Sequence, residues 1–353
     1  MKILYHIFRY EPEWEAAAKE IALLAEKYSG SVHEIDRMAG KKYRLIAPLA
    51  WAARRMHARK PRAAEKDCDL HHFFLPAPET PRYFDELKKP KIVTVTGGAP
   101  EEPDAALLEK FRALSRRSAR IVVAEKEFAA RLRKAGVKNA SLIRPGVALA
   151  KAPLPAPPEG EFRILFASSP FAEFQMESRG IIALLDAAAA AENLELVFLW
   201  RGRFLKNLRA QIRNRSLEKR VEIRDGVRDV ADALKRCHAA AAPFLSPEYN
   251  MPYPRSCLEA LAAGRPVLVS EKIALGRLIA KEGGGASVPP TPEGIVSGID
   301  KLRDLYAAAE SPAEKCRALA AKYFSLGVFF SAYDSLYKAT IRPPNRRTEK
   351  PEN

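Results

Sequence analysis

The most constraining stretch of the sequence covers residues 239–270 and reads AAAAPFLSPEYNMPYPRSCLEALAAGRPVLVS. Its small apolar residues at the start predict a strand buried on both faces, and three prolines between Ser246 and Pro254 prevent that strand from continuing. Arg255 to Ala263 is rich in helix formers, and Gly264 fits a left-handed helix end. Val267 to Ser270 predicts a second strand. The stretch therefore predicts one βαβ unit with a proline-rich loop at the carboxyl end of its first strand.

The loop and the helix start of this unit predict an anion site. In doubly wound sheets, ligands bind outside the carboxyl ends of the strands, and the N–H groups at a helix start favour a phosphate. We therefore expect Arg255, Ser256 and Cys257 to hold a phosphate. Glu259, one turn later, is placed to accept hydrogen bonds from the hydroxyls of a sugar. The alternative is an ordinary βαβ unit that carries a surface glutamate.

The segment PYPRSCLEALAAGRPVLVS resembles the donor-site segment of retaining glycosyltransferases of family 4, the glycosyl transferases group 1. The resemblance implies a GT-B architecture and two glutamates with seven residues between them. The second contacts the nucleotide ribose, and the first contacts hydroxyls of the transferred sugar. Glu259 matches the second glutamate, whereas Met251 stands in place of the first. Since a thioether does not replace a carboxylate as an acceptor, Glu248 on the same loop is the candidate to reach the sugar.

Length and charge limit the possible classes of protein. With 353 residues the chain exceeds the usual size of one core, so two domains are expected. Its 59 Lys and Arg residues against 43 Asp and Glu residues give a net charge of +16, which implies an anionic partner: nucleic acid, anionic lipid or a nucleotide diphosphate. Four separated cysteines without a CxxC pair indicate a reducing cytosol. No apolar run is long enough to cross a membrane, so we expect a cytoplasmic protein, peripheral on the membrane at most.

The order of the predicted elements gives the domain organisation. Residues 1–150 alternate strands with helices and predict an N-terminal Rossmann-like domain on the acceptor side. Residues 151–161 contain four prolines and predict a stiff linker. Residues 162–312 predict a second Rossmann-like domain that holds the donor, and residues 313–340 resemble the last helix of the family, which crosses back to the first domain. Residues 341–353 predict a frayed tail. The alternation of strands and helices predicts the α/β class, and the resemblance implies two Rossmann-like domains (GT-B) with parallel sheets and a donor cleft between them.

Arginines of the second domain are the candidates to act on the departing diphosphate. In the family, the loop after the first strand of this domain begins with Gly-Arg and ends with Lys-Gly. Two serines replace the first pair here, and Arg179 with its following glycine matches the second. Arg201 and Arg203 come directly after the next strand, and a guanidinium binds phosphate oxygens in a bidentate way. They are the candidates to restore the missing positive charge, with a solvated basic loop as the alternative.

Three glycines and a threonine complete the predicted donor and acceptor sides. The strand over residues 91–96 ends at Thr96, where the resemblance implies a histidine near the reaction centre. Gly97 and Gly98 follow it and predict a close approach of the backbone to the sugar or the acceptor, with a plain tight turn as the alternative. In the second domain, Gly276 matches the glycine that lies beside the donor.

Two further features predict contacts outside the donor site. Lys41 to Arg62 places basic residues around an apolar centre, which predicts an amphipathic helix on anionic lipid or an internal helix with a solvated basic face. His71 and His72 are adjacent in a predicted strand over residues 69–75, so their side chains point to opposite faces. They cannot readily chelate one metal ion together, and we expect a packing or substrate role.

The resemblance and the residues together predict a retaining, metal-independent, hexosyltransferase-like enzyme. It transfers a sugar from a nucleotide-diphosphate donor to a glycan or lipid-linked acceptor, in cell-surface polysaccharide or glycolipid synthesis. The nucleotide sugar is a substrate, so no cofactor is expected. One alternative is a degenerate member that binds nucleotide without transfer, which Met251 and Thr96 favour. The other is a nucleic-acid-binding protein; since no recognised binding module is found, no nucleic-acid partner is expected.

Overall fold

The computed structural model describes residues 1–36, 47–226, 229–248, 250–308 and 311–341, and for residues 47–54 it describes the backbone alone. The described chain forms two compact units that are not continuous in sequence. The first unit contains Met1–Thr96, Asp104–Ile143 and the described residues from Phe329 onwards. The second contains Gly97–Pro103 and Arg144–Val328. The chain therefore passes into the second unit for seven residues before it returns to the first.

A six-stranded parallel sheet is the centre of the first unit, in the order β2-β1-β3-β4-β5-β6. Its strands are β1 Ile3–Ile7, β2 Ser31–Glu34, β3 Leu70–Leu75, β4 Lys91–Val95, β5 Arg120–Val123 and β6 Ala140–Leu142. Its helices are Ala16–Tyr28, Ala47–Ala64, Ala105–Arg117, Lys126–Lys134 and most of Leu326–Ile341. Both faces of β1 and β3 are buried, as the apolar runs of a parallel sheet require.

The last described helix supplies part of the core of the first unit. Phe329, Tyr333 and Tyr337 pack in one cluster with Tyr5 of β1 and with Ile21 of the Ala16–Tyr28 helix. The rings of Tyr333 and Tyr337 have their centres 5.4 Å apart. These aromatic side chains bury a large apolar area, which fixes the helix on one face of the sheet.

The second unit has the strand order of a Rossmann fold. Its parallel sheet runs β12-β11-β10-β7-β8-β9. The strands are β7 Phe162–Phe166, β8 Leu194–Trp200, β9 Val221–Asp225, β10 Ala239–Ala242, β11 Val267–Ser270 and β12 Gly285–Val288. The helices are Gln175–Ser178, Ile181–Ala190, Leu205–Arg213, Val230–Leu234, Arg255–Ala262, Ala274–Glu282, Pro292–Ala307 and Pro312–Phe324. The chain starts in the middle of the sheet, fills one side, and then returns to the middle to fill the other.

The βαβ unit predicted from the sequence is confirmed. β10 and β11 are parallel neighbours, with Ala240 opposite Val267, and the Arg255–Ala262 helix connects them. Gly264 follows that helix with a φ of +84°, the left-handed conformation that glycine adopts readily. The four alanines of β10 are buried on both faces. The predicted α/β class with two parallel sheets is confirmed as well.

Two predictions concern residues beyond the described ones. The basic segment predicted over 41–62 corresponds to a helix at Ala47–Ala64, but residues 41–46 and the side chains of 47–54 lie outside the described part. The predicted lipid-binding face therefore stays a prediction. Residues 342–353, predicted as a frayed tail, lie outside it too. Among the described residues, no helix is both long enough and apolar enough to cross a bilayer.

Candidate functional site

The candidate site of the second unit lies where the strand order reverses. β7 and β10 are hydrogen-bonded neighbours, but the chain continues from β7 towards β8 and from β10 towards β11, on opposite sides. In such sheets the ligand binds in the crevice outside the carboxyl ends of these two strands. The segments that leave this edge are residues 167–180, 201–204 and 243–254. They carry most of the residues that the sequence predicts for the donor site.

Two serines hold Arg179 and join its segment to the next loop. The Nη1 group of Arg179 donates to the Oγ of Ser168 over 3.1 Å and to the carbonyl oxygen of Ser169 over 2.5 Å. Its guanidinium carbon lies 5.7 Å from the ring centre of Phe171. The Oγ of Ser169 accepts the backbone N–H of Arg201 over 3.0 Å. The serines that replace the expected Gly-Arg pair therefore connect the loops of Arg179 and Arg201.

The Arg179 segment packs directly against residues 243–254. Gly180 has a φ of +68°, and a Cβ at this position would overlap the carbonyl oxygen of Pro243. The backbone N–H of Leu245 donates to the carbonyl oxygen of Ser178 over 2.9 Å. Only glycine combines this backbone conformation with so close an approach. The close packing of Gly180 therefore explains why a glycine follows Arg179: it brings the arginine next to the loop after β10.

Arg201 and Arg203 flank Gly202 in the loop that follows β8. Gly202 has a φ of +72°, and the indole N–H of Trp200 donates to the carbonyl oxygen of Arg203 over 3.0 Å. Arg201 is half-buried and Arg203 is exposed. The backbone of this turn is thus held on both sides, through Trp200 and through the contact of Arg201 with the preceding segment.

The Arg255–Ala262 helix orients Glu259 through its first residue. The Nε of Arg255 donates to Oε1 of Glu259 over 3.0 Å, and the Nη1 of Arg255 donates to the carbonyl oxygen of Gly146 over 2.6 Å. The two side chains are 15% and 20% exposed. A carboxylate accepts about four hydrogen bonds, so the pair leaves Glu259 with capacity to accept from hydroxyls. The guanidinium fixes the carboxylate one turn into the helix.

Ser256 and Cys257 lie on the buried side of the same helix start. Ser256 is 8% exposed and Cys257 is fully buried. The backbone N–H of Cys257 donates to the carbonyl oxygen of Pro254 over 3.0 Å, and burial raises the pKa of its thiol to about 12. Cys257 is therefore a neutral packing group whose amide already has a partner. A phosphate contact of Arg255, Ser256 and Cys257 stays a prediction.

The two candidates for contact with the transferred sugar lie on the loop before this helix. Glu248 is exposed, and its backbone N–H donates to the Oγ of Ser246 over 3.0 Å. Met251 is half-buried. The carboxylate of Glu248 is thus open to solvent at the candidate edge, and a contact with the sugar remains a prediction for both residues.

Gly276 allows the next helix to approach the sheet closely. It lies in the Ala274–Glu282 helix, where a Cβ would overlap the carbonyl oxygen of Ser270 at the end of β11. The neighbouring Leu275 donates its backbone N–H to the carbonyl oxygen of Pro252 over 3.0 Å. The helix start that contains Gly276 is therefore bonded to the loop after β10.

Gly97 and Gly98 belong to the second unit, whereas Thr96 belongs to the first. The backbone N–H of Gly98 donates to the carbonyl oxygen of Asn250 over 2.8 Å, and a Cβ on Gly98 would lie 2.5 Å from the carbonyl oxygen of Pro247. Thr96 directs its backbone N–H and its hydroxyl to the carbonyl oxygen of Leu75, over 2.8 and 3.3 Å. Gly98, predicted with Gly97 for the acceptor side, therefore packs on the loop after β10.

The adjacent histidines of β3 are both buried within the first unit. The Nδ1 of His72 lies 2.7 Å from the hydroxyl of Tyr337, and its Nε2 lies 2.8 Å from that of Thr94. Burial lowers the pKa of His72 to about 3. The Nε2 of His71 lies 3.1 Å from Oε1 of Glu65. Strand alternation places the two rings on opposite faces, as predicted, and each is a packing group with its own partners.

The comparison with known protein families finds a match within the second unit. Residues 162–304 match the sequence profile of the family described as glycosyl transferases group 1. This part of the chain is a glycosyl transferases group 1 domain. It contains β7 to β12, and hence the switch point, Arg179, Arg201, the loop after β10 and Glu259. The resemblance stated from the sequence is confirmed. A search of curated proteins finds no match to the chain.

Solved structures of glycosyltransferases extend the comparison to nearly the whole chain. Sucrose-phosphate synthase from Thermosynechococcus elongatus is 16% identical, with a TM-score of 0.72 over 96% of this chain and 98% of that one. HepE from Anabaena, solved in complex with UDP and glucose, is 15% identical, with a TM-score of 0.71 over 96% and 99%. The lipopolysaccharide outer core galactosyltransferase WaaB is 13% identical, with a TM-score of 0.65 over 96% and 99%. The glycosyl transferases group 1 domain thus lies in a chain with the GT-B fold.

Two residues that hold the site together are not among those the sequence predicts. Ser169 takes part in the contacts that join the Arg179 and Arg201 loops, and Asn250 contacts three segments of the site. The only signal for Ser169 is its place directly after a predicted strand, where polar side chains face the switch point. Asn250 carries no such signal, since its partners are distant in sequence.

Proposed function

We propose that the protein is a glycosyltransferase that transfers a sugar from a nucleoside-diphosphate donor with retention of the anomeric configuration. The observation that carries the proposal is the carboxylate of Glu259, held by Arg255 one turn into a helix that starts at the switch point of a glycosyl transferases group 1 domain. In this proposal Glu259 accepts hydrogen bonds from the hydroxyls of the nucleotide ribose, in the role that the resemblance implies.

The arginines at the edge of the sheet act on the leaving diphosphate. Negative charge develops on the diphosphate as its bond to the sugar breaks, and preorganised cationic groups stabilise that charge most when they are already in place. Arg179 is preorganised by Ser168 and Ser169, and Arg201 lies on the loop bonded to Ser169. Together with Arg203 and the helix start at Ser256, they supply the positive charge in a mechanism that we propose to be metal-independent.

A nucleoside diphosphate of the uridine class is the first donor to examine. HepE of Anabaena is solved with UDP and with UDP-glucose, and WaaB is a lipopolysaccharide outer core galactosyltransferase. These relatives support a hexose donor and an acceptor in cell-surface glycan or glycolipid synthesis. We propose the same classes for this chain, with guanosine and adenosine diphosphate sugars as the competing donors.

A lipid-linked acceptor fits the exposed basic face near the end of the Ala47–Ala64 helix. Arg55, Arg59 and Lys60 are exposed there, and Met56 between them is 66% exposed. Cationic side chains around an apolar one favour the surface of an anionic membrane. We therefore propose a cytoplasmic protein that is peripheral on the membrane. Flotation with anionic vesicles at low salt tests this proposal. Wild type should float with the vesicles, and a variant with Arg55, Arg59 and Lys60 changed to Gln should not. Wild type that does not bind the vesicles would contradict the proposal.

The reaction is tested with water as the acceptor. Wild-type protein is incubated with UDP-glucose, UDP-galactose and the corresponding GDP and ADP sugars, while NMR follows release of the nucleoside diphosphate and the first anomer of the free sugar. We expect slow release from one donor class, with the α-anomer appearing first from an α-linked donor. First appearance of the β-anomer would contradict retention. Tight binding of a nucleotide sugar without its release, also after acceptor glycolipids are added, would favour the degenerate nucleotide-binding alternative.

A further inference from the structure

Asn250 lies at the junction of the segments that form the candidate site. It belongs to the loop after β10 and is 3% exposed. Its side-chain Nδ2 donates to the carbonyl oxygen of Ser246 over 2.9 Å and to that of Ser178 over 3.3 Å. Its own carbonyl oxygen accepts the backbone N–H of Gly98 over 2.8 Å. One residue thus connects the loop after β10 with the segment of Arg179 and with the excursion over residues 97–103.

The chemistry of the junction requires an amide nitrogen. Both groups that face the Asn250 side chain through Nδ2 are carbonyl oxygens, which only accept hydrogen bonds. An amide nitrogen offers two donors on one atom, whereas a carboxylate in the same place would oppose the two oxygens. The Oδ1 of Asn250 is buried and has no hydrogen-bond partner among the described residues. The side chain therefore holds the junction through its nitrogen alone.

The contacts of Asn250 bear on both ends of the proposed donor site. Ser178 immediately precedes Arg179, so the bond to its carbonyl sets the position of the guanidinium that is proposed to face the diphosphate. The loop from Ser246 onwards leads through Pro254 into the helix of Glu259. Arg179 and Glu259 are 80 residues apart in sequence. Their relative position is therefore a tertiary property, and the amide of Asn250 is a direct link between the two segments.

We propose that Asn250 is a positioning residue of the donor site: its side-chain amide fixes the Arg179 segment on the loop after β10, and its backbone carbonyl holds the Gly98 segment there. The proposal rests on the proposed function, because the ligand that benefits is the nucleoside diphosphate. Asn250 itself contacts neither substrate nor reacting atoms. Its loss should weaken donor binding by displacing Arg179 and the helix of Glu259 relative to one another.

The test uses Asn250→Asp, which keeps the shape of the side chain and removes its donors. The matched control is Asn139→Asp, because the Nδ2 of Asn139 also donates to backbone carbonyl oxygens, those of Ser118, Ser115 and Ala119 over 2.9, 3.2 and 3.4 Å, in the first unit. Gly98→Ala disturbs the same junction from its other side, since the new Cβ would lie 2.5 Å from the carbonyl oxygen of Pro247. It serves as the second variant should Asn250→Asp not fold, as judged by circular dichroism.

Two measurements separate this proposal from the proposed function. Hydrogen exchange with mass spectrometry reports the junction without any ligand. We expect faster exchange in the peptide over 175–180 for Asn250→Asp, faster exchange in the peptide over 97–103 for Gly98→Ala, and no change in either peptide for Asn139→Asp. Calorimetric titration with UDP, GDP and ADP reports the site: the nucleotide that binds wild type should bind Asn250→Asp about tenfold more weakly or worse, as expected for two lost hydrogen bonds. In turnover, the KM for the donor should rise more than kcat falls.

The outcomes are distinct. Exchange in these peptides that matches wild type would overturn the positioning role, and so would nucleotide affinity within twofold of wild type. If wild type binds no nucleotide, the proposed function fails, while faster exchange at the junction in Asn250→Asp still supports Asn250 as the residue that holds it.

Discussion

His72 provides a quantitative test of the account of the first unit, in which this histidine is a neutral packing group. It is fully buried between the hydroxyls of Thr94 and Tyr337, and burial lowers its pKa to about 3. In the unfolded chain the pKa of histidine is about 6.5. Between these two values the unfolded state binds one proton more than the folded state. The free energy of unfolding must therefore fall as the pH falls below about 6.5.

The size of this effect follows from the two pKa values. Each pH unit within the window costs about 1.4 kcal/mol, so between pH 8 and pH 4.5 His72 alone removes about 2.7 kcal/mol from the free energy of unfolding. The pKa values of His6 and His71 are lowered by burial as well, so wild type should lose more than this. The difference between wild type and His72→Gln isolates the contribution of His72.

Urea unfolding of the first unit at several pH values between 8 and 4.5 measures that difference. We expect His72→Gln to be less stable than wild type at pH 8, because Gln does not fill the site of the ring, and to lose about 2.7 kcal/mol less than wild type on going to pH 4.5. Equal pH dependence of wild type and His72→Gln would refute the reasoning, since His72 would then be protonated in the folded protein or accessible to solvent.

Two further predictions concern the candidate site. Gly180→Ala should destabilise the second unit by about 2–5 kcal/mol, because Gly180 is left-handed and the new Cβ would overlap the carbonyl oxygen of Pro243. Gly202→Ala is the control: its φ is +72° but the space around it is open, so it should cost only about 1–2 kcal/mol. Urea unfolding compares the two variants, and equal losses of stability would contradict the close approach at Gly180. Arg179→Met should weaken binding of the nucleoside diphosphate by about tenfold or more, while binding of the bare nucleoside changes little. The control Arg209→Met, on the exposed face of the Leu205–Arg213 helix, should change neither affinity. Calorimetric titration measures both affinities, and an equal loss for nucleoside and diphosphate would argue against a phosphate contact.

Local patterns predict the fold of this chain well, because its strands are short buried runs and its turns have prolines and glycines at the required places. The alanine-only strand β10, the proline-rich loop and Gly264 after the helix all follow from neighbours in sequence. The same patterns predict Glu259 on the first turns of a helix at the strand edge, where the structure places it.

Other features of the site could not be predicted, since they depend on contacts between residues far apart in the chain. The two serines after β7 read from the sequence as a missing positive charge, but in the structure Ser169 joins two loops 32 residues apart. Gly98 follows a strand of the first unit, yet its partner Asn250 is 152 residues further on and places it in the second. The amide of Cys257 has a partner in the preceding turn, which depends on how the chain enters the helix at Pro254.

The most direct measurement of the central claim is thermal stabilisation by UDP, GDP, ADP and CMP, with wild type, Glu259→Ala and the exposed control Glu218→Ala. A nucleotide at about 100 times its dissociation constant adds about 2.7 kcal/mol to the stability of the unit that binds it, which is readily seen as a higher melting temperature. The account predicts that one nucleoside diphosphate raises the melting temperature of wild type and of Glu218→Ala, and that Glu259→Ala loses the shift. Absence of a shift with every nucleotide, or a shift that Glu259→Ala retains in full, would contradict it.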